Sequence, residues 1–318
     1  MKDKTKEVIN HTKRWIEQET VWDEALYATE TREKDRETRQ AHQNLDQKHS
    51  SLASRPMSLK QAVPAPAPRA PRPADPAKAT ALKALYERYK DCTRCPLGNT
   101  RIKFVFGVGN PDSEVLFIGE GPGYEEDRRG EPFVGKAGQL LDKMLAAIGM
   151  SRQTNAYIAN IVKCHPMANP QTPEARGNDR APNPEEVETC APILLQQIKI
   201  MNPRVIVTLG SPSTKMILKT KDGITGLRGK YFPFPVEGHY PHEAPRALEA
   251  ASLFGEDEKM QDERATESPV HLSDAERTEL AKIQVLPTYH PAALLRNPNL
   301  KPESWADLKL LRETLNRP

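Results

Sequence analysis

Four cysteines carry the most specific chemical pattern in this chain. They fall as Cys92-x2-Cys95, followed by single cysteines at Cys164 and Cys190, and they are the 4 cysteines of the sequence. A close pair and two distant thiolates form a four-sulfur donor set, which suits tetrahedral zinc or a cubane iron–sulfur cluster. Two disulfides or inert thiols are the alternative, but Met1–Arg14 is charged and no apolar secretory signal follows it. The pattern therefore predicts a metal centre.

The elements around these cysteines alternate between strand and helix patterns. Four short runs are continuously apolar, as in strands buried on both faces: 114–118, 157–162, 204–209 and 285–288. Helical patterns cover Gly138–Ile148, Pro184–Met201 with Asn183 as N-cap, and about Pro302–Leu315. This order predicts an α/β protein, a three-layer α/β/α sandwich with a central four-stranded, mainly parallel sheet.

Polar and glycine-rich segments follow these predicted strands. They are Gly119–Asp127, Asn160, Gly210–Ser213 and Tyr289–Pro291. Parallel strands place their carboxyl ends at one edge of a sheet, so we expect a single cleft there. The glycine-rich turn lacks the Gly-x-Gly-x-x-Gly spacing of dinucleotide sites, and Glu120 would repel a phosphate. A neutral ring seated beside a carboxylate fits the turn better.

The chain divides into segments of different composition. Residues 1–50 predict a charged helical arm, 51–79 a Pro/Ala-rich linker, and 80–318 a folded domain with an acidic insertion at about 237–283. The insertion holds twelve acidic against five basic residues, whereas the whole chain has a formal net charge of +3. The remaining basic surface is compatible with a nucleic-acid partner, although solvated lysines also explain it. Without any apolar run of membrane-spanning length, we expect a soluble, intracellular protein.

Five motifs in a fixed order make a family resemblance specific. They are Cys92-x2-Cys95, Gly119-Glu120-Gly121-Pro122-Gly123-x2-Glu126-Asp127, Glu131-Pro132-Phe133-Val134-Gly135-x-Ala137-Gly138, Asn160-x3-Cys164 and His290-Pro291-Ala292. Together they resemble the family 4, or iron–sulfur, uracil-DNA glycosylases of the uracil-DNA glycosylase superfamily. The resemblance runs from about Asp91 to Leu315. One departure is an extra loop at Glu174–Pro182, within the 25 residues that separate Cys164 from Cys190.

The resemblance implies an activity, a cofactor and partners. It implies hydrolysis of the N-glycosidic bond of deoxyuridine in DNA, which leaves an abasic site for base-excision repair. It also implies a 4Fe-4S cluster on Cys92, Cys95, Cys164 and Cys190, with a structural role because hydrolysis needs no redox step. We expect a monomer that acts on uracil-containing DNA in a prokaryotic cytoplasm, associated with the nucleoid. The N-terminal arm is a candidate for recruiting a protein partner.

The resemblance also assigns roles at the site. It implies that His290 donates to uracil O2, that Glu120 orients water and stabilises the sugar cation, and that Glu126 near uracil C5 excludes the methyl group of thymine. Gly119 and Gly121 belong to the same substrate-binding turn. From local sequence alone, without the other motifs, a turn-stabilising side chain is the preferred explanation for a histidine before a proline.

Two further side chains have chemistry that suits base recognition. The carboxamide of Asn160 can accept from uracil N3–H and donate to O4, whereas cytosine presents the reverse pattern. A strand-end cap is the alternative for this residue. Phe133 offers a face for stacking the flipped base, with a contribution of about 1–3 kcal/mol, and a core position is its alternative.

The segment after His290 is a candidate for gripping DNA. Leu294 and Leu295 could fill the stack that the flipped base vacates, and Arg296 could contact a phosphate. Packing at the start of a helix is the competing explanation for the two leucines.

Two other functions are compatible with these motifs. Relatives that bind uracil-DNA covalently carry a Lys-Arg-Arg-Ile-His loop after the asparagine strand, whereas His165–Pro170 stands there in this chain. A zinc-stabilised, non-catalytic DNA-binding or scaffold module would use the same four cysteines. Bound iron with brown colour distinguishes the glycosylase from the zinc module.

Overall fold

The computed structural model describes residues 75–236 and 272–317. The expected arm at 1–50, nearly all of the linker and most of the acidic insertion lie outside the described residues. Within the described ranges, no helix is both long and apolar enough to cross a membrane.

The centre of the domain is a six-stranded sheet in the spatial order β1-β3-β2-β4-β6-β5. Its strands are β1 (Val108–Gly109), β2 (Val115–Gly119), β3 (Tyr157–Asn160), β4 (Val205–Leu209), β5 (Phe232–Pro233) and β6 (Gln284–Thr288). The four inner strands pair in parallel, and β1 and β5 pair antiparallel at the edges. The α/β class and the parallel centre are confirmed, but the sheet has six strands and not four. Each added edge strand has 2 residues, too few to show a periodic pattern.

Helices cover both faces of this sheet and connect its strands. They are α1 (Pro76–Tyr89), α2 (Leu97–Thr100), α3 (Tyr124–Arg129), α4 (Lys136–Ala147), α5 (Pro184–Met201), α6 (Ser211–Leu218), α7 (Ile224–Leu227), α8 (Asp274–Leu280), α9 (Pro291–Arg296) and α10 (Lys301–Asn316), with a 3-10 turn at Pro298–Leu300. All residues of β2 and β4 are buried between these helices, as their continuous apolar sequence predicts.

Helix α5 begins where its sequence predicts. The Asn183 side chain accepts from the Glu186 main-chain N–H at 2.8 Å, and the Glu186 carboxylate accepts from the Asn183 N–H at 2.8 Å. Pro184 takes the first helical position, where its missing N–H costs nothing. Arg180 adds a bidentate contact to Glu186 at 2.6 and 2.8 Å. The cap thus fixes the end of the extra loop against the helix that carries Cys190.

The extra loop before α5 is a compact hairpin. Met167 and Asp179 form an antiparallel bridge at its base. The buried side chain of Asn178 accepts from the Asn169 N–H at 2.7 Å and donates to the main-chain oxygens of Asn169 and Thr172 at 2.8 and 3.0 Å. These hydrogen bonds satisfy the polar groups of the loop backbone within the loop itself. The extra loop therefore does not disturb the fold of the domain.

The end of the expected acidic insertion is an integral part of the domain. Helix α8 begins with a capping box between Ser273 and Glu276, and Glu276 pairs with Lys199 of α5 at 2.8 Å. Leu280 and Ile283 are buried in the core. Residues 272–283 therefore pack on the sheet, although their acidic composition resembles that of the preceding residues.

Candidate active site

The predicted site residues meet at the carboxyl edge of the parallel strands. Gly119 ends β2 and is the register partner of Asn160, which ends β3. His290 follows β6, and Gly210, which follows β4, donates from its N–H to the Thr288 oxygen at 2.9 Å. A Cβ placed on Gly210 would lie 3.0 Å from the His290 Cβ. Segments that are far apart in sequence are adjacent here because their strands are parallel neighbours.

Gly119 leaves space for two of these side chains. A Cβ at this position would lie 2.6 and 2.7 Å from ring atoms of Phe133 and would collide with Oδ1 of Asn160. A larger residue at this position would force the Phe133 ring or the Asn160 carboxamide to move. The carboxamide and the aromatic ring therefore approach each other directly above the end of β2.

Phe133 is held in a backbone conformation that side chains rarely adopt. Its φ is 55°, and its ring centroid lies 5.5 Å from that of His290 with the planes 34° apart. The guanidinium of Arg152 donates to the oxygens of Pro132 and Phe133 at 2.8 and 2.7 Å. Arg152 is buried, and its Nε donates to Asp142 at 2.8 Å. Sequence reasoning missed Arg152, because no motif connects it to a loop nineteen residues upstream.

Glu126 fixes the other side of the Phe133 loop. Its Oε1 accepts from the main-chain N–H groups of Val134 and Gly135 at 2.8 and 2.9 Å. Gly135 is the N-cap of α4, so the carboxylate lies where a helix N-terminus favours negative charge. The observed contacts of Glu126 are with the backbone that carries Phe133.

Asn160 presents an unsatisfied acceptor. Its side chain is buried, and its Oδ1 has no hydrogen-bond partner among the described residues. A buried polar atom without a partner costs about 1–3 kcal/mol, so its retention points to a partner supplied from outside. Its main-chain oxygen accepts from Nζ of Lys163 at 2.7 Å.

Lys163 is a buried cation beneath the candidate site. Its Nζ also donates to Oε1 of Gln197 at 2.6 Å, and Gln197 in turn donates to the Phe106 oxygen at 3.0 Å. Burial lowers the pKa of Lys163 to about 8, although the nearby thiols of Cys190 and Cys164 oppose that shift. The polar network ties the end of β3 to α5.

His290 is arranged as a neutral hydrogen-bond donor. Its Nδ1 accepts from the Ala292 N–H at 3.1 Å, which places the proton of the neutral ring on Nε2. Burial lowers the pKa of His290 to about 4, and the charge of Arg296 lowers it further while Glu126 opposes. The ring is therefore uncharged at neutral pH.

Glu120 follows β2 directly and lies half-buried at the turn. Burial raises the pKa of its carboxyl above the ordinary value, which favours proton acceptance by the carboxylate. A Cβ on the neighbouring Gly121 would lie 2.9 Å from Val162 Cγ2, and one on Gly123 would lie 3.6 Å from Asp179 Oδ1. The turn is thus enclosed by the segment after β3 and by the base of the extra loop.

The expected DNA-contacting residues on α9 differ in exposure. Leu294 is completely buried, so the expectation that it enters the DNA stack is wrong: the side chain forms part of the packed core. Leu295 is 47% exposed, and Arg296 is also exposed. Both side chains therefore face solvent on α9, the helix that has His290 as its N-cap.

The four cysteines converge although they lie on separate segments. Cys164 and Cys190 are buried, Cys92 and Cys95 are half-buried, and all four are free thiols. Burial raises the pKa of Cys164 to about 12, and negative charge on Cys190 and Cys95 raises it further. Burial likewise raises the pKa of Cys190 to about 11, with further contributions from Cys95 and Cys92. Each thiol therefore lies within electrostatic range of others in the set.

Donors surround these thiols as well. The Lys163 N–H donates to Cys190 Sγ at 3.3 Å, and Arg101 donates to Cys164 Sγ at 3.5 Å and to the Cys92 oxygen at 2.5 Å. No group of three or more His, Cys, Asp or Glu among the described residues is arranged to hold a single metal ion. The sulfurs of Cys164 and Cys190 thus accept hydrogen bonds from N–H groups. A set of four thiols with such donors nearby fits a cubane iron–sulfur cluster, whose reduction potential depends on hydrogen bonds to sulfur.

Comparison with known proteins agrees with this geometry. Residues 106–309 match the model of the Uracil DNA glycosylase superfamily. The chain is 44% identical to the Type-4 uracil-DNA glycosylase of Thermotoga maritima over 149 residues, 46% of this chain and 72% of that protein. It is 34% identical to the Type-4 uracil-DNA glycosylase of Archaeoglobus fulgidus over 226 residues, 70% of this chain and 87% of that protein. The protein of the same name from Sulfurisphaera tokodaii is 34% identical over 236 residues, 73% of this chain and 84% of that protein.

The family match covers all six strands of the sheet, and it includes Gly119, Asn160 and His290. It therefore covers the sheet edge at which the candidate site lies. The chain belongs to the uracil DNA glycosylase superfamily, among its type-4 members.

Proposed function

We propose that this chain is a uracil-DNA glycosylase that hydrolyses the N-glycosidic bond of deoxyuridine in DNA, releasing uracil and leaving an abasic site for base-excision repair. Family membership supports the activity, and one structural observation supports the site. That observation is the buried, unpartnered Oδ1 of Asn160 beside the Phe133 ring and the Gly119 backbone. A flat ring with an N–H donor satisfies this acceptor.

Uracil is recognised by its hydrogen-bonding edge and its flat face. Asn160 accepts from N3–H through Oδ1 and donates to O4 through Nδ2, so cytosine leaves both groups unpaired. Phe133 stacks on the base, with a contribution of about 1–3 kcal/mol. Gly119 and Gly121 keep the backbone of the turn close to the ring. Glu126 holds the loop of Phe133 and restricts the space at C5, where thymine carries its methyl group.

Bond cleavage is assisted by two further residues. As the C1′–N1 bond breaks, negative charge develops on uracil and positive charge on the deoxyribose. The Nε2–H of neutral His290 donates to O2 of the departing base. Glu120 stabilises the positive sugar and orients the water whose oxygen bonds to C1′. Its carboxylate accepts the proton that this water loses, and the uracil anion takes up a proton from solvent.

DNA is held next to the site by α9. The exposed Leu295 side chain fills the space of the extruded base, and Arg296 contacts a phosphate. The enzyme acts as a monomer in the cytoplasm, associated with the nucleoid, and the arm at 1–50 recruits a protein partner.

Cys92, Cys95, Cys164 and Cys190 hold a 4Fe-4S cluster. When bound, the cluster supplies a cross-link between chain segments, since hydrolysis transfers no electrons. The cysteines themselves fix the loop after α1, the end of β3 and helix α5 near one another. The extra loop between Cys164 and Cys190 is thereby held beside the Glu120 turn.

One assay tests the activity. The protein is incubated with an oligonucleotide containing a single uracil and then with alkali, which cleaves the strand at an abasic site. Cleavage at uracil is expected, and the matching thymine oligonucleotide and the Asn160→Asp variant with a cytosine oligonucleotide measure discrimination. An intact uracil strand rejects the proposal. A protein–DNA adduct that survives denaturation would instead indicate the covalent binder, and bound zinc without excision the non-catalytic module.

A further inference from the structure

A cavity opens away from the candidate catalytic residues. It has a volume of about 480 Å³ and is lined by Tyr86, Lys90, Asp91, Lys103, Phe104, Phe106, Gly107, Arg129 and Gly130. Neither the Glu120 turn nor Phe133, Asn160 or His290 contributes to its walls. The cavity therefore needs its own explanation.

One wall of this cavity is aromatic. The ring centroid of Tyr86 lies 6.3 Å from that of Phe104 and 5.7 Å from that of Phe106, with an edge-on arrangement to the second ring. Phe104 and Phe106 are buried, whereas Tyr86 is 37% exposed. The two phenylalanines thus fix the orientation of the tyrosine, and part of its ring remains available for a flat ligand.

The rim of the cavity is basic. Lys90, Lys103 and Arg129 contribute three positive charges against the single carboxylate of Asp91. Lys90 is also paired with Glu87 at 2.9 Å on the surface. The stem of Lys103 packs against Gly130, where a Cβ would lie 3.3 Å from the Lys103 Cδ. An aromatic wall with a basic rim matches a base and its phosphate.

The cavity is connected to the candidate active site through α3. The main-chain N–H groups of Ile102 and Lys103 donate to the buried carboxylate of Asp127 at 3.0 and 3.2 Å. Helix α3 begins after the Glu120 turn and ends at Arg129, and its 6 residues span about 9 Å. The Val105 N–H also donates to the Lys163 oxygen at 2.8 Å, just beyond the end of β3. Both openings therefore lie along the same edge of the sheet.

We propose that this cavity binds an unpaired nucleotide of the strand that carries the uracil, a few nucleotides from the excised base. The base stacks on Tyr86, and its phosphate lies between Lys103 and Arg129. The inference rests on the proposed glycosylase function.

A length series of oligonucleotides tests the proposal. Single strands carry 2′-fluoro-2′-deoxyuridine, whose glycosidic bond resists hydrolysis, and are extended one nucleotide at a time on either the 5′ or the 3′ side. Affinity of the wild-type protein should rise about tenfold on one side only, when the extension reaches the cavity. Tyr86→Ala and Lys103→Gln/Arg129→Gln should lack this step. A smooth increase on both sides in the wild-type protein would overturn the proposal.

A charge-matched control removes two cations at the opposite edge. Arg204 directly precedes β4 and Lys282 precedes β6, so both lie at the amino edge of the parallel strands. Arg204→Gln/Lys282→Gln should keep the step, whereas Lys103→Gln/Arg129→Gln should lower the salt slope of binding by about one, because the two cations share one phosphate. Persistence of the step in the cavity variants would also overturn the proposal.

The stacking component is tested by removing the base. An abasic spacer at the critical position should reduce the step in the wild-type protein and have no further effect in Tyr86→Ala. An equal reduction in both proteins would contradict stacking on Tyr86. Excision of ordinary uracil from the shortest oligonucleotide by the wild-type protein tests the glycosylase function separately.

Discussion

Nζ of Lys163 donates a 2.7 Å hydrogen bond to the main-chain oxygen of Asn160, and both residues are buried. The main-chain N–H of the same lysine donates to Cys190 Sγ at 3.3 Å. One residue therefore contacts the strand end that carries the proposed base reader and a cysteine of the proposed cluster. Uracil recognition and the cysteine set share a rigid support, because neither can shift without disturbing the lysine.

Lys163→Met should lower both stability and base discrimination. The substitution leaves the Asn160 and Gln197 oxygens without their donor, at a cost of about 1–3 kcal/mol each. We expect a lower thermal midpoint and a smaller ratio of kcat/KM for uracil over cytosine. Lys199→Met is the control, because this lysine forms a surface pair with Glu276 that contributes at most about 1 kcal/mol. Equal effects of the two substitutions would contradict the positioning role.

Gly119→Ala should impair uracil binding while the domain stays folded. The added methyl group would lie 2.6 Å from the Phe133 ring, so the ring or the Asn160 carboxamide must move. We expect about tenfold or greater loss of kcat/KM on uracil DNA, consistent with a displacement of about 1 Å at a catalytic site. Gly226→Ala, with no heavy atom within 4 Å of its Cβ, is the matched control and should leave the rate unchanged. A normal rate for Gly119→Ala would place the base elsewhere.

Glu120→Ala should slow the chemical step with little effect on DNA affinity. A carboxylate that orients water and stabilises a developing cation contributes about 10²–10⁴ in rate. Single-turnover excision measures the chemical step, and binding to the 2′-fluoro analogue measures affinity. If the single-turnover rate is unaltered, Glu120 does not belong to the catalytic group.

His290 should make stability fall as the solution becomes acidic. Its folded pKa of about 4 lies below the ordinary 6.5, so the unfolded chain takes up the proton first. The stability linked to the neutral imidazole is therefore fully present above pH 6.5, and it is lost progressively as the pH falls from about 6.5 towards 4. His290→Gln should flatten this part of the profile of thermal midpoint against pH. An unchanged slope would mean that the imidazole is accessible to protons in the folded protein.

Cys92→Ala and Cys190→Ala should each remove iron and lower the thermal midpoint together. The four thiols join segments nearly a hundred residues apart, so the loss of one ligand releases a long-range link. Elemental determination of iron per chain and the visible absorbance of the wild-type protein provide the measurement. Full iron in either variant would contradict ligation by the four cysteines.

The sequence predicted those helices and strands whose caps and apolar patterns lie within the segment itself. Helix α5 begins and ends where predicted because its cap, its first proline and its apolar face lie within the segment. The inner strands were visible because both of their faces are buried. β1 and β5 were not, because strands of 2 residues depend on their neighbours for pairing.

Contacts between distant residues were beyond local patterns. Arg152 and Lys163 support the candidate site through bonds to main-chain oxygens, which any sequence provides. Leu294 and Leu295 are chemically identical neighbours, yet only the second is exposed, because helix α9 turns the first into the core. Motif order located the site, and the three-dimensional packing determined which residues hold it.

The order of the strands along the chain also has a consequence during protein synthesis. β6 is inserted beside β4 and brings His290 to Gly119 and Asn160, which the ribosome produced about 130 to 170 residues earlier, a delay of roughly 10–30 s at typical elongation rates. Until then the parallel sheet has an open edge at β4. A nascent chain therefore cannot excise any base, and its exposed β4 edge is the position at which chaperones or premature association would act.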